Sequence, residues 1–225
     1  MASTRYPQFC ALARAAEMLG ERWTLLIVRE LLLGPKRFSD LRGRLGGISS
    51  SVLAARLARL EDAGLIRRTL LEPPAASTVY GLTENGRALK ATVFELIRWG
   101  ARFLFPARPG EQLEADWIRL VLTAYARKER ARPRSFEVRI RGGESEVAIH
   151  VAGGRKGTSV TEGGAHADVT ITGDAPTVLG LMSGLLKPSD ALRQRRIQVQ
   201  GDLTALSAFP ELFDVAGQGG ERVGA

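Results

Sequence analysis

Residues 48–65 read Ile48-Ser49-Ser50-Ser51-Val52-Leu53-Ala54-Ala55-Arg56-Leu57-Ala58-Arg59-Leu60-Glu61-Asp62-Ala63-Gly64-Leu65. Leu53, Leu57 and Leu60 recur at the spacing that lines them along one seam of an α-helix. Ser49 stands where an N-cap side chain accepts from the first free amides, and Gly64 where a helix end takes a left-handed residue. At about 100° per residue the face opposite the seam carries Ser51, Ala54, Ala55, Ala58 and Arg59, with Arg56 at the seam's edge. Just upstream, Ser39 is positioned to cap a helix through Leu41 and Leu45 that Gly46-Gly47 ends, so two helices joined by a tight glycine turn are expected.

Working outward, Leu12, Ala15, Ala16 and Leu19 recur at helical spacing up to Gly20, and Trp23, Leu26, Ile27 and Leu31 resume it until Gly34-Pro35. Residues 65–71 and 78–82 are rich in strand formers. Glu72-Pro73-Pro74-Ala75-Ala76-Ser77 between them cannot pair across a sheet, which gives a hairpin with a proline-bearing tip. Thr83 then caps a long amphipathic helix that carries Leu89, Val93, Leu96 and Ile97 and continues through residues 99–105. Two helices, a short turn and a hairpin make the order of a winged helix-turn-helix module.

Particular residues narrow this. Cys10-Ala11-Leu12, then Gly20-Glu21-Arg22-Trp23-Thr24-Leu25-Leu26-Ile27, then Leu33-Gly34-Pro35-Lys36-Arg37-Phe38-Ser39-Asp40-Leu41 closely resemble the HxlR family of bacterial transcriptional regulators. Ile48-Ser49, Leu53, Arg56-Leu57, Leu60-Glu61-Asp62-Ala63-Gly64-Leu65 and Tyr80-Gly81-Leu82-Thr83-Glu84-Asn85-Gly86 continue the match in order, over about residues 8–104. The resemblance implies a homodimer whose terminal helices pair and whose two recognition helices read the half-sites of a palindromic operator in double-stranded DNA, most often as a repressor. Its matching cysteine, Cys10 here, is a redox sensor in some members. The alternative for Cys10 is a small buried apolar residue near the dimer seam.

With the fourth helix in the major groove, Ser49, Ser50 and Ser51 and the free amides beside them suit phosphate oxygens. Base reading falls mainly to Arg59 and Arg56, since a bidentate arginine on guanine is worth roughly 1–3 kcal/mol of discrimination. Lys36 and Arg37 precede the third helix and Arg42 and Arg44 lie on it, where the resemblance puts them near the DNA backbone; Arg67 and Arg68 lie on the wing. Residues 1–105 carry 16 Lys plus Arg against 9 Asp plus Glu, or +7, while residues 106–225 carry 16 against 15, or +1. That asymmetry gives the first half a field attractive to polyanions.

Residues 106–110, Pro106-Ala107-Arg108-Pro109-Gly110, break the pattern. The expected division is a DNA-binding and dimerisation domain over 1–105, a linker over 106–111, a second domain over 112–215 and a flexible tail over 216–225. In the second domain Leu113, Trp117, Leu120, Val121, Ala124 and Tyr125 form a helical stripe. Phe136, Val138 and Ile140, then Val147, Ile149 and Val151, then residues 159–161 and 169–172, read as four strands with glycine turns, most simply an antiparallel meander. Asp174 and Pro176 open a helix bearing Val178, Leu179, Leu181, Met182, Leu185 and Leu186; Ile197 and Val199 give a fifth strand, and Gly201-Asp202 starts a final helix with Leu203, Leu206 and Phe209. Ala167-Asp168-Val169-Thr170-Ile171-Thr172-Gly173-Asp174, the helix, then Ile197-Gln198-Val199-Gln200-Gly201-Asp202-Leu203 resemble the sterol-carrier-protein-like fold, over about residues 112–213. That resemblance implies an apolar tunnel suited to a hydrophobic small molecule, with Phe136, Val138, Val178, Leu181, Met182, Leu185, Leu206 and Phe209 as candidate lining; a packed core needs the same residues.

The fold class expected for the whole chain is α+β. At 225 residues, 44% hydrophobic and 25% charged, the chain is neither disordered nor membrane-spanning, and the cytoplasm is the expected compartment. A single cysteine and two histidines, His150 and His166, offer no metal spacing; Ser159, His166 and Asp168 fall near one another by chance rather than as a hydrolytic trio. No enzyme activity and no cofactor are expected. Besides the regulator, two other functions fit these residues: a lipid or acyl carrier with a basic docking domain, and a thiol sensor working through Cys10.

Overall fold

A computed structural model describes residues 5–74, 76–104, 108, 110–111, 114–142, 145–164 and 166–215. The chain is α+β, and its contacts divide it into two units, Met1–Val93 and Phe94–Ala225. Residues 106, 107 and 109 of the expected linker and the tail 216–225 lie outside the described residues.

The first unit runs α1 (Ala11–Leu19), α2 (Thr24–Leu32), β1 (Lys36–Arg37), α3 (Phe38–Arg44), α4 (Ser50–Asp62), β2 (Ile66–Leu70), β3 (Thr78–Leu82) and α5 (Glu84–Ala88), and α6 (Lys90–Gly100) begins in it. Its core is Ile27, Val28 and Leu31 from α2, Leu41 and Leu45 around α3, the α4 seam, and Leu65, Ile66, Val79 and Leu82 of the wing. Buried Glu30 ties α2 to α3, its carboxylate meeting Arg29 Nη2 at 2.8 Å and Arg44 Nε at 2.5 Å.

Local details depart from the sequence reading for physical reasons. Ser39 is not a cap: the cap position is Arg37, two residues earlier, and the Asp40 carboxylate accepts from Arg37 N at 3.1 Å, so the helix start is closed from inside its first turn. Lys36 and Arg37 pair with Tyr80 and Val79, which makes the wing a three-stranded sheet of order β1-β3-β2; two residues are too short a run for any period to reveal. The long helix expected after Thr83 is two, because Leu89 N donates to Gly86 O at 3.2 Å and tightens the turn there. Thr83 is the cap: its Oγ1 accepts from Gly86 N at 3.0 Å and donates to Gly64 O at 2.7 Å, which joins the end of α4 to the start of α5. A Cβ on Gly86 would sit 2.0 Å from Leu65 O, so only glycine permits that approach.

The second unit holds α7 (Trp117–Tyr125), β4 (Ser135–Gly142), β5 (Ser145–Gly154), β6 (Gly157–Glu162), β7 (Val169–Asp174), α8 (Ala175–Met182), α9 (Pro188–Arg193) and β8 (Ile197–Gly201), followed by 3-10 turns at Leu203–Ala208 and Pro210–Leu212. The five strands run in the order β6-β5-β4-β7-β8. The expected meander holds only for β4, β5 and β6; β7 returns to pair with β4 in parallel, Phe136 opposite Val169 and Val138 opposite Ile171. A meander would leave β4, whose Phe136, Val138 and Ile140 are all fully buried, as an unpaired edge, whereas the return gives it a partner on both sides. Gly164 N donates to the Glu137 carboxylate at 3.1 Å, and the Asp168 carboxylate accepts from Ser135 N at 2.8 Å, which fixes the returning segment. The Gly164 amide first, and Arg139 with it, hold the Glu137 carboxyl below the usual carboxylate range against the opposing effect of burial.

Asp174 caps α8 as expected, accepting from Thr177 N at 2.8 Å. The helix ends at Met182 rather than running on to Leu186, with Gly184 left-handed beyond it. Leu185 therefore leaves the core and is 87% exposed. The final helix is the 3-10 turn capped by Asp202. None of the described helices is long and apolar enough to cross a membrane.

Candidate nucleic-acid interface

The sequence-predicted recognition helix is α4. Leu53, Leu57 and Leu60 are 0%, 1% and 1% exposed, so the seam is sealed against the rest of the unit. Ser49 Oγ accepts from Val52 N at 3.3 Å and lies 3.1 Å from Ser51 Oγ, which leaves other first-turn amides open to solvent. The outward face, Ser51, Ala54, Ala55, Ala58 and Asp62, is exposed, and Ser50 with it.

Arg56 and Arg59, expected to read bases, are turned from that face toward the start of α2. Both guanidiniums pair with the Glu21 carboxylate. Arg56 Nε also donates to Arg22 O at 3.3 Å, and Arg59 Nη2 to Glu17 O at 2.6 Å. They clamp α4 to the corner between α1 and α2. Trp23 in that corner has a left-handed φ of 79°, a conformation a bulky residue holds only under constraint, and the Arg22 guanidinium lies 5.0 Å from its ring centroid. Glu21 was missed because a carboxylate in a loop carries no period; the adjoining Gly20 marks a turn but not what the turn holds.

The other basic residues separate into two sets. Arg44 is paired with Glu30, and Arg68 with Glu61 at 3.0 Å. Arg37, Arg42 and Arg67 are exposed and form no ion pair among the described residues, while Lys36 is half-buried in β1. The open cations flank α4 from the start of α3 and from the wing. From Ser51 to Ala58 that face is uncharged, with Asp62 at its far end, and an uncharged stretch beside exposed cations suits a duplex with an outer phosphate charge and an inner groove of base edges.

Comparison with known proteins agrees. Residues 18–108 match the model of the HxlR-like helix-turn-helix. Over 92 residues the chain is 38% identical to the HTH-type transcriptional regulator YodB of Bacillus subtilis, a match covering 41% of this chain and 82% of that one. The chain belongs to the HxlR-like helix-turn-helix family. It is also 42% identical over 94 residues to the uncharacterized HTH-type transcriptional regulator Rv3095 of Mycobacterium tuberculosis, covering 42% of this chain but only 59% of that relative's length. The solved structure of reduced YodB from B. subtilis matches 45% of this chain and all of its own, at 35% identity and a TM-score of 0.39.

This HxlR-like chain also carries a second domain. Residues 118–214 match the SCP-2 sterol transfer family. In that unit Phe136, Val138, Val178, Leu181, Leu206 and Phe209 are buried, and the rings of Phe136 and Phe209 meet edge-on at 5.2 Å. A separate cleft of about 400 Å³ opens on the surface, lined by Arg102 and Leu104, by Val121 and Tyr125 of α7 and by Leu179 of α8. Of the expected ligand-binding residues, Met182 and Leu185 line this cleft. Cys10 is the N-cap of α1, exposed and unbridged. Ser159 and Asp168 are engaged elsewhere: Ser159 Oγ donates to Ala152 O at 3.3 Å, and the Asp168 carboxylate accepts from Ser135 N. Among the described residues no cluster of His, Cys, Asp or Glu is placed to hold a metal ion.

Proposed function

We propose that this chain is a homodimeric cytoplasmic repressor whose residues 1–105 bind a palindromic operator, with α4 in the major groove and the β2–β3 wing beside it. The carrying observation is the exposed, uncharged Ser51, Ala54, Ala55 and Ala58 face on a helix whose opposite seam is sealed. Ser49 to Ser51 meet phosphates at the helix start, and Lys36, Arg37, Arg67 and Arg68 hold the backbone on either side. Gel shifts with the region upstream of its own gene test this. Specific retention whose affinity falls steeply with salt is expected, and retention that ignores sequence and salt would refute it.

Residues 112–215 are the ligand-binding domain in this reading, and the cleft of about 400 Å³ supports an apolar effector, since small-molecule sites run to roughly 300–1,000 Å³. Such a molecule regulates only if its affinity differs between DNA-competent and incompetent states. Organic extraction of the purified protein separates this from a lipid carrier: co-purifying lipid without any effect on operator binding favours the carrier. The exposure of Cys10 supports a thiol sensor as a second reading. A Cys10→Ser variant that keeps its full response to oxidants would exclude it.

A further inference from the structure

Guanine shows two acceptors in the major groove, and the side chains that read them in pairs are arginine and lysine. Among the described residues, the outward face of α4 offers neither. Its two arginines are engaged elsewhere, both on Glu21, with Arg56 also on Arg22 O and Arg59 also on Glu17 O. Between the cap and the Asp62 carboxylate at the far end of the helix, what remains to face a duplex is one hydroxyl, Ser51, and three methyl groups, Ala54, Ala55 and Ala58. The base-edge feature that matches a methyl is the C5-methyl of thymine, since bringing the two together removes apolar surface from water and asks for no hydrogen bond. Side chains this small also let the helix backbone come close enough to make the contact.

We propose, resting on the reading of α4 as the helix in the major groove, that it reads thymine through Ala54, Ala55 and Ala58, and that Glu21 sets this preference by withholding Arg56 and Arg59 from guanine. Glu21 is thus a positioning residue for specificity although it lies outside the helix-turn-helix. The exposed Arg37, Arg42 and Arg67 add affinity without altering the choice of base.

The test is selection of the full chain on a library of random-sequence duplexes, followed by analogue substitution in the selected sequence. Thymines are expected at the central steps of each half-site. Replacing each by deoxyuridine, which removes only the methyl, is expected to weaken binding about fourfold per methyl, and replacing guanines elsewhere in each half-site by 7-deazaguanine to leave it unchanged. Glu21→Gln is expected to enrich guanine at the same steps. Loss on 7-deazaguanine with no effect of deoxyuridine overturns the thymine reading, and a Glu21→Gln selection identical to the native one overturns the role of Glu21. A selection that returns no common sequence instead removes the operator-binding function itself, and the thymine reading with it.

Discussion

Glu30→Ala isolates what holds the two helices beneath α4 together. The Glu30 side chain is 0% exposed, and its carboxylate oxygens meet Arg29 at 2.8 Å and Arg44 at 2.5 Å, one guanidinium from α2 itself and one from α3. Removing one partner of a buried ion pair costs about 3–5 kcal/mol, because the charge left behind has lost its compensation. Arg29 and Arg44 keep 19% and 23% of their side-chain surface in water, so both can turn outward, which places the expected loss at the low end, about 3 kcal/mol. Hydrogen exchange on the full chain reads this unit by unit. Amides of α2 and α3 are expected to exchange about 150-fold faster in the variant, with those of β4 and β7 unchanged. A change under about 1 kcal/mol, or an equal change in both units, would refute the idea that this cluster is the buried joint between α2 and α3.

Two further outcomes concern the second unit. The folded-state carboxyl of Glu137 sits below its unfolded value, so its contribution is complete above about pH 4.3 and is lost as pH falls through the lower, folded value; Glu137→Gln is therefore expected to lower the melting temperature at pH 7 and to flatten its fall between about pH 5 and 3. A native-like acid slope in that variant would show that the Gly164 contact does not depend on charge. Leu181→Ala, at a fully buried position, is expected to cost about 3 kcal/mol in urea unfolding, whereas Leu185→Ser, at a position 87% exposed, should stay within about 0.5 kcal/mol. Equal losses would put Leu185 back in the core.

The parts of the fold that could be read directly were those with a period or a cap. The Leu53, Leu57 and Leu60 seam, the Ser49 and Thr83 caps and the alternating Phe136, Val138 and Ile140 are local patterns, and they lie where local patterns place them. What could not be read was decided by distant partners. The parallel pairing of β7 with β4 joins residues some thirty positions apart and leaves no trace in either strand's alternation. The pairing of Arg56 and Arg59 with Glu21 spans 35 and 38 positions. The family resemblance singled out α4, but which of its side chains stay open to solvent is a property of tertiary pairing.

The most direct test of α4 as the DNA-reading helix is operator affinity of Ala55→Glu, measured by fluorescence anisotropy at one fixed salt concentration. Ala55 lies opposite the buried seam and is exposed, and glutamate is a good helix former, so the fold and its circular dichroism should be unchanged. A carboxylate aimed at phosphates and base acceptors is expected to lower operator affinity by about a hundredfold or more. Native affinity in a fully folded variant would mean that this face of α4 never meets the duplex.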